Sequence, residues 1–248
     1  MPRENMSGGG EPSPATRWFE WNGETGNPFY YDKEQKKKIQ LPCDFTFILL
    51  HRLGVVKGWH EPSKSGITSN EVVDTRSQPL VVRSFKGGKI AEGFYADIKD
   101  RVQVAGGRFQ ASCYIAFKDG AELKIGNFMF GGAALGAWFE FEKQAGKDLY
   151  TKAVRITGFG DGKKGAIKFR FPKFELKDIK TETDDAAGEL QKVVQAYLSE
   201  YFKRTKVAQA ESVQEHPPVE NQDEPPSDND VPGEPEAETP PESDDVPF

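Results

Sequence analysis

Apolar and polar residues alternate along much of the first 180 residues, which is the pattern of half-buried β-strands. The most regular pair, residues 108–118 and 121–130, flanks Asp119-Gly120, a dipeptide that favours the tight turn of a β-hairpin. Further strands are predicted at residues 17–21, 28–32, 44–57, 78–86, 150–159 and 166–175. A glycine-rich turn at 160–165 is predicted to join the last two strands.

Two segments have the period of a helix instead. Residues 131–144 are predicted as a short helix, and their apolar face consists of Leu135, Trp138, Phe139 and Phe141. In residues 186–206, starting at Leu190, apolar side chains recur at i, i+3, i+4, i+7, i+8, i+11 and i+12. We expect this amphipathic helix to pack on the strands, and a dimer contact, giving a homodimer, is the alternative. Residues 89–104 receive no assignment.

An order of several strands, one helix and two strands is that of the OB fold, a common host for single-stranded nucleic acid. The sequence therefore predicts a mainly β protein with an OB-like five-stranded barrel, added N-terminal strands, one short helix between late strands, and a C-terminal amphipathic helix. The predicted divisions are a flexible N-terminus (1–16), an OB-like DNA-binding domain (17–180), the amphipathic helix (186–206) and a disordered acidic tail (207–248).

Charge separates a basic body from an acidic tail. Residues 207–248 hold 13 acidic residues, nine of the 17 prolines, one aromatic residue and no Lys or Arg. Such a segment cannot bury enough apolar surface to offset the entropy lost on ordering, so disorder is predicted. The preceding 206 residues hold all 33 basic residues against 26 acidic ones, a net charge of +7. This asymmetry is typical of proteins that bind nucleic acid.

Other classes of protein find little support. The three histidines and two cysteines lack the spacing of metal ligands, and no nucleophile motif is present, so we expect no enzyme, no metal and no cofactor. Cys43 and Cys113 suit a reducing compartment. No apolar run approaches the roughly 18 residues that span a bilayer, and the first residues lack the apolar core of a signal peptide. We expect a soluble cytoplasmic protein without membrane contact.

The last residues are Asp244-Asp245-Val246-Pro247-Phe248. They resemble the C-terminal tip of bacterial single-stranded DNA-binding proteins, in which acidic residues precede Ile-Pro-Phe; Val246 stands where Ile is usual. The resemblance implies that Phe248 enters an apolar pocket on a replication or recombination partner, such as a polymerase, helicase or nuclease. Asp244 and Asp245 would meet basic residues around that pocket, and Pro247 would act as a rigid spacer. A plain solubilising tail is the alternative.

The body also resembles phage-encoded single-stranded DNA-binding proteins, which likewise end in an acidic tail with a terminal Phe. Residues 65–72, 84–88 and 132–138 carry this resemblance. It implies a phage origin and, for the protein, the cytoplasm of a bacterial host.

Candidate DNA contacts follow from the strand alternation, because single strands are held by basic side chains along the phosphates and by aromatic rings that stack on bases. The candidates are Trp59, Arg83, Phe85, Lys86, Lys89, Arg108, Tyr114, Lys118, Arg155, Phe159, Lys163, Lys164, Lys168 and Arg170. Trp59 could instead fill the core. Phe94 and Tyr95 lie in the unassigned segment, and the run Lys36-Lys37-Lys38 could extend the DNA path or simply keep a hairpin soluble.

The sequence thus predicts a protein that coats single-stranded DNA in replication, recombination or repair and recruits partners through its tip. The acidic tail is expected to compete with DNA for the basic body, since the two carry opposite charge. Two alternatives remain open: a protein–protein adaptor of the replication machinery, and a duplex-binding or annealing protein.

Overall fold

A computed structural model describes the backbone of residues 12–214 and the side chains of residues 12–205. The strands in this range are β1 (Arg17–Asn22), β2 (Asn27–Asp32), β3 (Lys37–Gln40), β4 (Thr46–His60), β5 (Ser65–Ser69), β6 (Leu80–Ser84), β7 (Gly88–Gly93), β8 (Gly107–Asp119), β9 (Glu122–Gly131), β10 (Ala153–Lys164) and β11 (Ile167–Lys177). The helices are α1 (Tyr95–Val104), α2 (Ala133–Ala145) and α3 (Thr181–Gln214), and a 3-10 helix (Gly146–Tyr150) follows α2. The protein is mainly β with a C-terminal helix, as predicted.

The described strands form one large mixed sheet. Its continuous path is β3-β2-β1-β9-β8-β4-β5-β6-β7, while β10 pairs with β4 and β11 pairs with β10. No ladder within residues 12–214 joins β11 to β9, so the sheet is open where a five-stranded barrel would close. The β1–β2 hairpin lies beside β11 at this opening, because Trp21 Nε1 donates to Arg170 O at 2.8 Å and Arg170 N donates to Gly23 O at 2.7 Å.

One core cluster lies between the sheet and α2, and its largest side chains are aromatic. Phe130 stacks on Phe128 at 4.3 Å and on Trp138 of α2 at 4.7 Å between ring centroids. All three rings are fully buried. Truncating such a ring to alanine typically costs about 3–5 kcal/mol, so Trp138 fixes α2 on the sheet. Phe139, which was predicted on the same apolar face of this helix, is instead partly exposed.

Helix α3 covers the opposite face of β4 and β8. Val194 and Leu198 are buried in this second cluster. Gln191 Nε2 donates to Leu50 O at 3.1 Å, and Glu71 N donates to Tyr201 Oη at 2.8 Å. Since the segment around Glu71 pairs with the middle of β4 through a bridge between Val72 and Gly54, α3 runs along β4 in the same direction as the strand.

A smaller lobe extends the far ends of β4 and β8. It consists of β5, β6, β7 and α1, and its core includes Val56, Leu80, Val82, Ile98 and Val102. The segment that received no assignment from the sequence forms β7 and α1. Only Ile98 and Val102 are buried in α1, which is too few for a strong helical period.

The predicted domain limits shift at both ends. Thr16 N and Oγ1 both donate to Ile125 O, at 2.8 and 2.9 Å, and Ala15 is buried, so the folded part begins before residue 17. Helix α3 begins five residues earlier than predicted and continues to Gln214, so residues 207–214 of the predicted tail are helical. The rest of that tail and residues 1–11 lie outside the described residues. No helix in the described part is long and apolar enough to cross a membrane.

Candidate nucleic-acid interface

A row of five side chains, four of them basic, crosses β8, β4 and the three strands of the smaller lobe. Neighbouring strands pair Arg108 with Lys57, Lys57 with Thr68, Thr68 with Arg83, and Arg83 with Lys89. Directly opposite residues of antiparallel strands point to the same face of the sheet. These five residues, which we call the basic row, therefore share one face and span about 19 Å at the usual distance between strands.

Two exposed aromatic side chains lie on the same face, one position further along the strands. Trp59 pairs with Gly66, and Phe85 N donates to Gly66 O at 3.0 Å. Trp59 is 54% exposed and Phe85 is 74% exposed. Because Gly66 has no side chain, the Phe85 ring can lie over its backbone, next to the strand that carries Trp59. We call Trp59 and Phe85 the aromatic pair. Trp59 therefore does not fill the core.

The cations of this face differ in how far they are already engaged. Arg83 and Lys86 make no ion pair with any described residue, whereas Lys89 Nζ lies 2.9 Å from Glu92 Oε2. Arg108 Nη1 donates to Gln103 O and to Gly107 O. Lys57 Nζ donates to Thr68 Oγ1 at 2.7 Å, and burial lowers the pKa of this lysine. Arg83 and Lys86 are thus the cations most available to phosphate.

Lys57 was missed by the sequence analysis, which placed it at the end of the long apolar strand 44–57. Its position opposite Thr68 and Arg108 depends on strand register, which single-strand alternation does not give.

A second basic surface lies on the β10–β11 hairpin. The predicted turn at 160–165 is wrong, because the strands stay paired up to Lys164 and Ile167 and leave only two residues in the turn. Gly160 pairs with Phe171 and Gly162 with Phe169. A Cβ at either glycine would come within 2.4 Å of the opposite ring, so the glycines let the rings lie across the neighbouring strand. The exposed basic residues near the tip of this hairpin are Lys163, Lys164 and Lys168, and Lys173 and Lys177 are exposed further along β11.

Three other hairpin candidates already have partners in the fold. The Arg170 guanidinium lies 4.5 Å from the ring centroid of Phe159, and its Nη1 donates to the carbonyl oxygens of Glu24 and Thr25. These contacts tie the hairpin to the β1–β2 turn. Arg155 Nη1 lies 3.3 Å from Glu175 Oε1 on the neighbouring strand. Arg170 therefore holds the hairpin against the β1–β2 turn, whereas Arg155 joins the two strands of the hairpin.

The outward position predicted for Tyr114 is wrong. The alternation along β8 does point Tyr114 away from the core cluster beneath α2. However, α3 covers the other face of the sheet and leaves Tyr114 only 3% exposed. Its Oη donates to Glu71 Oε2 at 3.1 Å, and Ser112 Oγ donates to Glu71 Oε1. Burial raises the pKa of Glu71. Tyr114 is thus part of a buried polar cluster under α3.

The remaining candidates lie apart from the basic row. Lys118 is ten residues from Arg108 on β8, about 33 Å along the strand. Tyr95 packs on Phe109 with ring centroids 5.0 Å apart, on the α1 side of the lobe. The Lys38 ammonium lies 4.8 Å from the Phe29 ring centroid at the edge strand β3.

The structure thus brings Trp59, Arg83, Phe85, Lys86, Lys89 and Arg108 together and adds Lys57. Asp244, Asp245, Val246, Pro247 and Phe248 lie outside the described residues. Within residues 12–214, no group of three or more His, Cys, Asp or Glu side chains could hold a metal ion.

Comparison of the chain with protein-family models, curated proteins and solved structures found no match.

Proposed function

We propose that this protein binds single-stranded DNA through the basic row and the aromatic pair. The observation that carries the proposal is the position of exposed Trp59 and Phe85 beside Arg83 and Lys57 on one sheet face. Exposed rings of this size in adjacent positions cost free energy in water unless they serve as a contact surface. Cations bind the phosphates, while aromatic rings stack on bases of any sequence.

The exposure of the rings favours single strands over duplex DNA as the ligand. Bases in a duplex are already stacked and paired, so their faces are not available to Trp59 and Phe85. Phosphate contacts alone would serve both forms, so a duplex-binding or annealing protein remains the second candidate, supported by the cations alone.

The order of strand pairing supports an OB-like origin for this arrangement. β8 lies between β4 and β9, α2 follows β9, β10 returns to pair with β4, and β11 pairs with β10. This order is similar to that of five OB strands with the helix before the fourth. A closed barrel would need β11 to pair with β9. In the described residues β1 takes that place beside β9. The smaller lobe then corresponds to the connection between the first two strands, and the β10–β11 turn to that between the last two. OB domains use these two connections in binding oligonucleotides.

We propose further that the protein acts in the DNA replication, recombination or repair of a phage, and that residues 244–248 recruit partner proteins. The acidic and apolar composition of these residues supports this role. An adaptor without affinity for DNA would carry the same tip but would have no use for the aromatic pair.

Fluorescence titration with oligothymidine tests the proposal. Two tryptophans are exposed, Trp59 and Trp18, and Trp59 is the more exposed of the two. Stacking of a base on Trp59 should therefore quench the intrinsic emission. The quenching should disappear in Trp59→Phe and persist in Trp18→Phe, while both variants still shift oligothymidine in a gel. Unchanged emission together with no gel shift at low salt would overturn the proposal, and equal affinity for duplex would favour the second candidate.

A further inference from the structure

A pocket of about 620 Å³ opens where β4 begins and α3 begins, far from the basic row. Its apolar lining includes Leu41, Phe45, Leu123 and Ile179, each only partly buried. Phe45 packs against the core beneath α2, whereas Leu123 and Ile179 pack against the core beneath α3. The pocket therefore lies on the seam between two core clusters. Its volume is within the range of pockets that hold small ligands or anchor residues.

The rim of this pocket is basic. Lys118, Lys177 and Lys180 are exposed and make no ion pair with a residue of the described part. The lining contains two acidic residues, Asp44 and Asp178. Asp178 lies 3.4 Å from the Lys152 ammonium, so only the charge of Asp44 remains to offset the three lysines. An apolar floor with surplus positive charge at its edge suits a peptide that joins an aromatic anchor to acidic residues.

The chain itself contains such a peptide. Val246-Pro247-Phe248 is apolar and directly follows Asp244-Asp245, and Phe248 is the single aromatic residue after residue 202. We propose that the segment 244–248 docks into this pocket of its own chain, with Phe248 on the apolar floor and the two aspartates at the lysine rim. The contact does not depend on DNA binding.

The length of the tail permits this return. Helix α3 carries the chain from Thr183 at the pocket to Gln214, about 46 Å away at 1.5 Å per residue. The 34 residues from Gln214 to Phe248 can reach at most roughly 110 Å. The tail is therefore more than twice as long as the path back to the pocket, and docking within one chain requires no second copy.

Docking in this pocket leaves the basic row open. Phe47 lines the pocket and Lys57 belongs to the row, and ten residues of β4 separate them, about 33 Å of strand. A tip held in the pocket therefore cannot cover the aromatic pair. This separation distinguishes the proposed contact from simple attraction of the acidic tail to the DNA-binding face.

Photo-crosslinking in the full-length chain tests the proposal. With p-benzoylphenylalanine in place of Phe248, irradiation should join residue 248 to residues 41–48 or 177–183 of the same chain, as mapped by mass spectrometry. The yield should persist with saturating oligothymidine. Crosslinks to the aromatic pair, loss of the crosslink on adding oligothymidine, or no crosslink would overturn the proposal. A crosslinked dimer would assign the pocket to the tip of a second copy and would overturn docking within one chain.

Charge reversal at the rim supplies the matched comparison. Lys177→Glu combined with Lys180→Glu should lower the crosslinking yield about three-fold or more, because two attractions become repulsions. Lys143→Glu combined with Lys147→Glu changes the charge equally at exposed sites outside the pocket and should leave the yield unchanged. Equal loss in both variants would mean that general charge, not the pocket, attracts the tip. All four positions are exposed, so folding should be preserved.

Discussion

The ring of Phe85 covers the backbone of Gly66. A Cβ at Gly66 would lie 2.8 Å from the nearest ring atom, closer than real contacts allow. The ring nevertheless remains 74% exposed. The glycine thus allows Phe85 to lie next to the strand that carries Trp59.

Loss of an aromatic ring should weaken binding to single strands without changing the fold. Phe85→Ala and Trp59→Ala should each lower the affinity for oligothymidine by about 5- to 150-fold, which corresponds to 1–3 kcal/mol per stacked base. Gly66→Val should have a similar effect because it displaces the Phe85 ring. Fluorescence anisotropy with labelled oligothymidine measures the change. Tyr150→Ala, which removes an exposed ring elsewhere, is the control, and an equal loss there would contradict the assignment.

Removal of a free cation should change the salt dependence of binding. Arg83→Gln and Lys86→Gln should each reduce the slope of log K against log salt by about 0.7, the value for one phosphate of a single strand. Lys147→Gln, at an exposed position on the 3-10 helix, should leave the slope unchanged. The measurement is a set of titrations between 50 and 300 mM salt, roughly the range in which counterion release dominates. Slopes equal to that of the parent protein in both variants would remove these residues from the interface.

Local signals in the sequence were enough to predict the β8–β9 hairpin. Its two-residue turn, predicted at Asp119-Gly120, forms one position later at residues 120–121, with Asp119 opposite Glu122 and φ of +67° at Gly120. The alternation from Leu80 to Phe85 also gives the correct faces, since Leu80 is buried and Phe85 exposed. Such features depend on neighbours in the chain, so pattern and turn chemistry determine them.

Features that depend on distant segments could not be predicted in this way. Tyr114 faces away from the inner core, as alternation requires, yet α3 comes from some 80 residues later to cover it. Likewise, Lys57 and Arg108 become neighbours only through the register of β4 and β8. The open sheet has the same origin, because β1 takes the place beside β9 that the barrel would use for closure. A single sequence carries no signal for these pairings.

The buried position of Tyr114 predicts a loss of stability, not of DNA affinity. Tyr114→Phe removes a hydroxyl that donates to the Glu71 carboxylate, and leaving a buried group short of a partner costs about 1–3 kcal/mol. Urea unfolding should show this decrease in the free energy of unfolding, while oligothymidine affinity stays at the parent level. Tyr150→Phe, at a tyrosine that is 55% exposed, is the control. A normal stability combined with weaker DNA binding would return Tyr114 to the interface.

Glu71 should give stability a specific dependence on pH. Burial raises its pKa above the ordinary 4.5, so the folded protein holds this proton more tightly than the unfolded chain does. Its contribution to the free energy of unfolding is therefore full below pH 4.5 and falls as the pH rises through the folded-state pKa. Glu71→Gln carries no charge, so its stability relative to the parent should increase from pH 4 to pH 7. Urea unfolding at several pH values measures the difference, and a constant difference would contradict the raised pKa.

The acidic tail should compete with DNA for the basic row. Helix α3 runs in the same direction as β4, so its C-terminal end at Gln214 points towards the end of the strand that carries Lys57. We therefore expect the 12 acidic residues from 215 to 248 to reach the basic row. A chain ending at Gln214 should bind oligothymidine more tightly than the full chain at low salt. The difference should shrink as salt is raised, since the Debye length falls from about 10 Å at 0.1 M to 3 Å at 1 M.

Two full-length variants separate the charge of the tail from its length and its tip. A chain with those acidic residues changed to Asn and Gln should match the truncated one, because charge and not length is responsible. Phe248→Ala alone should leave oligothymidine affinity unchanged, since it retains every one of those charges. If the truncated and full chains bind equally at 50 mM salt, the tail does not reach the DNA-binding face.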